Sequence, residues 1–120
     1  MLQNQFKKFA LATLWLIMLS TYGISNAADP FPSKNLRIIV PVAPGATNDF
    51  LARSLAVELG KVLNQTVIVE NKPGANQIIG TSELAKSAPD GHTMAMLISS
   101  HVINPYISKS LPYDPEKDFT

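Results

Sequence analysis

The chain has 120 residues, 46% hydrophobic and 16% charged, with ten basic residues, nine acidic residues and no cysteine. That composition suits one ordinary globular domain, excludes disulfides and thiolate chemistry, and leaves no basic surplus to hold a nucleic acid.

The first segment reads as a targeting signal. Lys7 and Lys8 form a positive n-region, an apolar run extends from Ala10 to Leu19, and Ser25-Asn26-Ala27 places small residues where a signal peptidase cuts. A membrane anchor is the alternative, but the run breaks at Ser20-Thr21-Tyr22-Gly23, short of the roughly 20 residues that a spanning helix needs. Residues 1–27 are therefore expected to be a cleaved secretory signal peptide, and residues 28–120 a periplasmic domain. Without the two lysines of the signal, eight basic and nine acidic residues remain, a net charge near −1. A domain of this size buries only a modest core.

Residues 29–34, rich in proline, predict an extended arm. Leu36 to Val40 follows as an almost unbroken apolar run, the pattern of a parallel strand covered on both faces, with Arg37 as the exception. Pro41 ends the ladder and Pro44-Gly45 makes a turn. Thr47 or Asn48 is expected to cap a helix whose first turn carries Asp49. Leu51, Leu55, Leu59, Val62 and Leu63, with Ala52 and Ala56, are expected on its inner face, and Asn64 as its stop. Thr66 to Glu70 predicts a second strand, making a right-handed βαβ unit. After the turn Asn71-Lys72-Pro73-Gly74, a helix is expected over 76–88, with Ile78, Ile79, Ala85 and Ala88 inward. Pro89-Asp90-Gly91 turns the chain into a third strand, Thr93 to Ile98. Beyond Ser99-Ser100-His101 the periodicity breaks at Asn104-Pro105. Asp114-Pro115 can cap one helical turn through Asp118, and Phe119-Thr120 reads as the approach to another strand. Strand, helix, strand, helix, strand is the alternation of an α/β, parallel, doubly wound sheet.

Ligands bind such sheets beyond the carboxyl ends of the strands. Three loops emerge there: Pro41 to Asn48, Asn71 to Gln77, and Ser99 to Asn104. The first aims backbone N–H groups and a helix dipole upward, which suits an anion such as a carboxylate. It lacks the Lys-Ser/Thr pair of a phosphate loop and the G-x-G-x-x-G of dinucleotide folds. The second reads mainly as a turn, although Asn76 and Gln77 could offer amide donors. In the third, Ser99 and Ser100 supply neutral hydroxyl and N–H donors. Ser100 with His101 could instead be the nucleophile and base of a secreted α/β hydrolase. Adjacent residues rarely adopt triad geometry, however, and no G-x-S-x-G elbow is present. His92 reads as a surface or strand-edge residue. No metal-ligand spacing occurs, and no cofactor is expected.

The order Pro32-Ser33-Lys34, Arg37-Ile38-Ile39-Val40-Pro41, Ala43-Pro44-Gly45 and Asp49 to Arg53 resembles the tripartite tricarboxylate transporter substrate-binding proteins, the Bug or TctC family. Val69-Glu70-Asn71-Lys72-Pro73-Gly74-Ala75, Gly80, Ala85 to Thr93, Asn104-Pro105 and Leu111 to Pro115 continue the likeness. The resemblance implies a solute receptor without catalytic residues, of type II periplasmic-binding-protein-like fold. Its two lobes close on a small organic acid, a di- or tricarboxylate or an acidic amino acid, and dock on membrane permease subunits. It places the ligand's carboxylate at Pro44, Gly45, Ala46, Thr47 and Asn48, and at Ser99, Ser100, His101 and Asn104. Ala46 stands where the family has a second glycine, and Asn76-Gln77-Ile78 replaces its glycine-rich run. Family members are far longer, so the expectation is an incomplete first lobe, the N-terminal part of such a receptor.

Overall fold

The computed structural model describes residues 30–119, so the expected signal segment lies outside the described residues. Three strands form one parallel sheet in the order β2-β1-β3: β1 is Leu36–Val40, β2 Val67–Asn71 and β3 Thr93–Ala95. Helix α1 (Thr47–Leu63) joins β1 to β2; a 3₁₀ turn at Ala75–Gln77 and helix α2 (Ile78–Ala85) join β2 to β3; helix α3 (Ser100–Ile107) follows.

β1 is central, with Ile38 opposite Val69 on one side and Met94 on the other. That position explains its continuous apolar run: Leu36, Ile38, Ile39 and Val40 are all buried, and each such side chain contributes about 1.5–3 kcal/mol by leaving water. Side chains alternate across the strand, so the two faces can be told apart. Ile38 and Val40 pack with Ala52 and Ala56 of α1, joined by Val67, Val69, Met94 and Met96. The opposite face carries Arg37, the exception in the run. Its guanidinium pairs with Glu70 at 3.2 Å and with Glu83 of α2, while Lys72 lies 3.3 Å from Glu83. Thus α1 covers one face of the sheet and α2 the other, as a doubly wound α/β fold requires.

Several expectations about detail need correction. The buried stripe of α1 is Asp49, Ala52 and Ala56, with Leu59 and Leu63 half-buried. Leu51, Leu55 and Val62 are 49%, 44% and 79% exposed; they form the neighbouring stripe, about 100° round the helix from the buried one. Neither Thr47 nor Asn48 caps α1: Ala46 is the N-cap, in extended geometry, without a side-chain cap bond. Asn64 does end the helix, at φ 48 with its N–H on the Gly60 carbonyl.

The second helix is shorter than expected. Asn76 and Gln77 lie at φ 50 and 73, outside the α-helical region, so regular helix starts only at Ile78. It buries Gly80, Thr81 and Ser82, whereas Ile79 and Ala88 are exposed. Small residues face the sheet because the backbones meet closely: a Cβ at Gly80 would lie 2.7 Å from the Pro41 Cβ and 3.0 Å from the Lys72 carbonyl oxygen.

β3 is three residues long, although the Met96 N–H still donates to the Ile39 carbonyl at 2.9 Å. Helix α3 was hidden in the sequence by Pro105, which sits inside it; proline there forfeits one backbone bond without ending so short a helix. The Asp114 turn forms as read, its carboxylate accepting from the N–H groups of Glu116 and Lys117 at 3.0 and 3.2 Å. Those two donors, with the Lys117 ammonium, hold the Asp114 carboxyl below its ordinary range. Among the described residues no helix is long and apolar enough to cross a membrane.

Candidate functional site

The strand order creates a switch point. From β1 the chain moves to one neighbour through α1, and from β2 it crosses to the other through α2, so the loops after β1 and β3 diverge to opposite faces. The crevice between such loops is where open α/β sheets bind ligands. Loop 41–46 and loop 96–99 flank it.

The first loop is held from beneath by a buried carboxylate. Asp49, only 4% exposed, accepts the Gly45 N–H at 2.8 Å and the Arg53 Nε–H at 3.1 Å on Oδ2. Its Oδ1 receives the Arg53 Nη2 group at 2.9 Å and the Asn71 amide at 2.9 Å. Asn71 also donates to the Val42 carbonyl at 3.1 Å and accepts from Arg53 at 2.9 Å. These partners, Arg53 first, then Gly45 and Asn71, hold the Asp49 carboxyl down at about 2. The end of β2, the loop after β1 and the first turn of α1 are therefore one unit. Reading the sequence assigned Asp49 only to the helix dipole; the Asp49/Arg53 spacing of four, which makes helix neighbours, was the available signal, while the part played by Asn71 required the register.

This network decides which loop donors remain free. Gly45, at φ 84, spends its N–H on Asp49, and Ala46 directs its N–H to the Ala43 carbonyl at 3.3 Å. Phe50 makes the first helical bond, to the Ala46 carbonyl at 3.1 Å. Among the described residues no hydrogen bond takes the N–H of Thr47, Asn48 or Asp49, the orphan donors of a helix start. Pro44 supplies no N–H, and Ala46 at φ −70 makes no conformational demand for glycine.

The third loop offers a similar end. Ser99 precedes α3 without a side-chain cap bond, and its carbonyl accepts from Val102 and Ile103, both at 3.1 Å. The N–H groups of Ser99 and Ser100 have no partner among the described residues. Two helix starts thus present neutral donors at the switch point, while the adjacent cations are committed: Arg53 to Asp49 and Asn71, Lys72 to Glu70 and Glu83.

Three expected site residues serve other contacts. Asn104 is fully buried; it accepts the Asn76 amide at 2.6 Å and donates to the Asn76 carbonyl at 2.9 Å. The Ser100 hydroxyl donates to the Asn76 Oδ1 at 3.2 Å. The His101 ring stacks on Tyr113, with centroids 6.1 Å apart, and meets Phe119 edge-on at 5.1 Å. No hydrogen bond joins Ser100 to His101, so the nucleophile and base of the hydrolase alternative are not assembled. A cavity of ≈ 370 Å³ lies along the outer edge of β3, lined by Leu84, Ser87, Thr93, Ala95, His101 and Phe119 among others, with no residue of loop 41–46. It meets the crevice only through Leu97 of loop 96–99.

The Asn76/Asn104 clasp has a further role. Ala75, Asn76 and Gln77 all have positive φ, a run that glycine would adopt without strain and other residues resist. Replacing Asn104 by alanine leaves a strained turn without its clasp, and is expected to cost about 2–3 kcal/mol in chemical denaturation. Adding Asn76→Gly should recover part of that loss, which a double-mutant cycle reads directly.

Comparison with known proteins finds similar sequences and folds in periplasmic binding proteins. The family model described as tripartite tricarboxylate transporter family receptor matches residues 51–120. BugT of Bordetella pertussis is 40% identical over 106 residues, which cover 85% of this chain and 32% of BugT. Among solved structures, the periplasmic binding protein BugD is 35% identical with a TM-score of 0.69, over 73% of this chain and 29% of that one. MatC from Rhodopseudomonas palustris, with bound malate, is 35% identical with a TM-score of 0.69, over 75% and 31%. A second R. palustris protein, with adipate, is 30% identical with a TM-score of 0.67, over 71% and 29%. The chain belongs to the tripartite tricarboxylate transporter receptor (TctC) family. It spans about a third of the length of the curated relatives it matches.

Proposed function

We propose that residues 28–120 act as the N-terminal part of the first lobe of a periplasmic solute receptor, exported by the signal at 1–27. In this reading the lobe takes the carboxylate of a small organic acid, a dicarboxylate or tricarboxylate, and hands the solute to membrane permease subunits. The observation that carries it is the pair of helix starts at the switch point, α1 with free N–H groups at Thr47 to Asp49 and α3 with free N–H groups at Ser99 and Ser100. Both dipoles favour an anion there, and neutral donors hold it without a buried cation to match. The malate and adipate in the two R. palustris relatives support a carboxylate as the ligand class. Ser100, His101 and Asn104 shape the second rim through their contacts with Asn76 and Tyr113, and Pro44, Gly45 and Ala46 set the first.

Thr47 is the first residue of α1 and follows Ala46 at ψ 161, a position where proline fits; it removes the N–H together with the side-chain hydroxyl, so Thr47→Val, which keeps the N–H, is the control. In a family-length receptor carrying this lobe, Thr47→Pro is expected to weaken binding of its carboxylate about tenfold or more, the worth of one charge-assisted hydrogen bond. Unfolding should be unchanged. Calorimetric titration with malate, adipate and citrate checks it; no heat from any of the three, or equal affinity in the variant, would count against the reading.

A further inference from the structure

We propose that His92 is a proton-operated latch whose neutral ring holds the Ser33 N–H of the arm of residues 30–34 and whose second proton breaks that bond. The sequence suggested a surface or strand-edge residue, but His92 is only 7% exposed. The arm lies on it: the Ser33 N–H donates to Nε2 at 3.2 Å, and the Phe31 ring sits 4.8 Å from the imidazole, tilted by 58°. Gly91 completes the seat, since a Cβ there would come within 3.2 Å of the Phe31 ring.

The ring's surroundings fix its tautomer. Nδ1 faces two oxygens of Asp90, the carbonyl at 3.1 Å and the carboxylate Oδ1 at 3.2 Å. Both are acceptors, so a neutral ring carries its proton on Nδ1 and offers the lone pair of Nε2 to Ser33. A second proton can only enter at Nε2, where it converts the acceptor into a donor facing another donor. The Ser33 bond is then lost.

The nearby charges decide which contact gives way. Lys34 on the arm pairs with the Asp90 Oδ2 at 2.7 Å, and the His92 N–H donates to the Asp90 Oδ1 at 3.0 Å. Those bonds, the Lys34 one largest, hold the Asp90 carboxyl well below its ordinary range, so it stays ionised in mild acid and can still pair with an imidazolium at Nδ1. On β1, Arg37 takes the His92 carbonyl with its N–H at 2.8 Å and has its side chain committed to Glu70 and Glu83. The protonated ring therefore keeps its partner on the turn and gives up Ser33, while Lys34 still ties the base of the arm to Asp90. The latch lies where β1 and β3 begin, at the end of the sheet opposite the crevice, so it does not depend on the carboxylate reading.

Hydrogen exchange at the Ser33 amide, corrected for the intrinsic pH dependence of exchange, tests this as the pH is lowered, with protonation of the ring followed by the His92 resonance itself. In the wild-type chain protection of Ser33 is expected to fall at least tenfold, in step with the His92 ring resonance. In His92→Gln, whose amide oxygen can accept the Ser33 N–H and does not titrate, protection should persist throughout. Protection that stays constant while the His92 resonance titrates, or that falls equally in His92→Gln, would overturn the latch. Should His92→Gln fail to fold, the comparison of the Ser33 and His92 midpoints in the wild-type chain decides alone.

Discussion

Asp49→Ala is expected to lower the unfolding midpoint by roughly 10 °C or more, among the largest effects of any single change in this chain. The carboxylate is buried and accepts from four donors on three residues: the Gly45 N–H, two nitrogens of the Arg53 guanidinium, and the Asn71 amide. Truncation orphans all of them. Arg53 is left beside an amide oxygen, the Asn71 side chain keeps only Val42 and Arg53, and Gly45 has no acceptor for its N–H. Arg53 is half exposed and water takes over part of its pairing, so the cost falls chiefly on the Gly45 and Asn71 donors that lose a buried acceptor. The sign of the pH dependence follows from the direction of the shift. The folded carboxyl titrates at about 2, below the ordinary 3.8, so the stability it contributes is fully present above about pH 4 and is lost as the pH falls through about 2. Thermal unfolding of wild type and Asp49→Asn across this range should show a gap that narrows steadily below pH 4. A gap independent of pH would mean that the carboxylate's charge is not what anchors the loop.

The contrast between Asp49 and β1 shows where sequence reading succeeds. The continuous apolar run Leu36 to Val40 declared a strand buried on both faces, because only a central parallel strand needs apolar groups at every position. Alternation of strands and helices then gave the α/β class. Details that depend on packing distance were not legible. Leu51, Leu55 and Val62 lie at helical spacing as convincingly as Ala52 and Ala56, and only the close approach of α1 to the sheet selects the small residues for burial. Positive φ at three successive non-glycine residues, Ala75, Asn76 and Gln77, leaves no local mark; it is sustained by Asn104, 28 residues away. Proline 105 masked a helix, because proline signals a break far more often than it sits within a helix. His92 read as a surface or strand-edge residue because its partner, Ser33, is 59 positions distant.

Gly80→Ala is expected to destabilise the fold by about 2 kcal/mol although alanine is the better helix former. The propensity gain is about 1 kcal/mol, but the added Cβ would lie 2.7 Å from the Pro41 Cβ, 3.2 Å from the Pro41 Cα and 3.0 Å from the Lys72 carbonyl oxygen. Two of those three contacts are backbone, which cannot swing aside, so α2 must withdraw from the sheet by roughly 1 Å to regain ordinary contact distances. Overpacking of this kind costs about 3 kcal/mol at the upper end of its usual range, and the difference sets the net effect. Gly45→Ala makes a useful comparison. Nothing lies within 4 Å of its Cβ position, yet φ is 84, so its penalty of about 1 kcal/mol comes from backbone strain and not from contact. Pro41→Gly should relieve part of the Gly80→Ala loss by removing one of the three clashes, and leave the Gly45→Ala loss unchanged; denaturant unfolding of the two double-mutant cycles measures both. The consequence for the crevice follows from which atoms are touched. Pro41 opens the loop after β1 and Lys72 the loop after β2, so the missing side chain at position 80 is what lets α2 press both loops into register above the sheet. On the receptor reading proposed above, carboxylate affinity of a family-length receptor carrying this lobe should fall in Gly80→Ala along with stability, and recover with it in the Pro41→Gly double variant; recovery of stability alone would separate the packing of α2 from the geometry of the first loop.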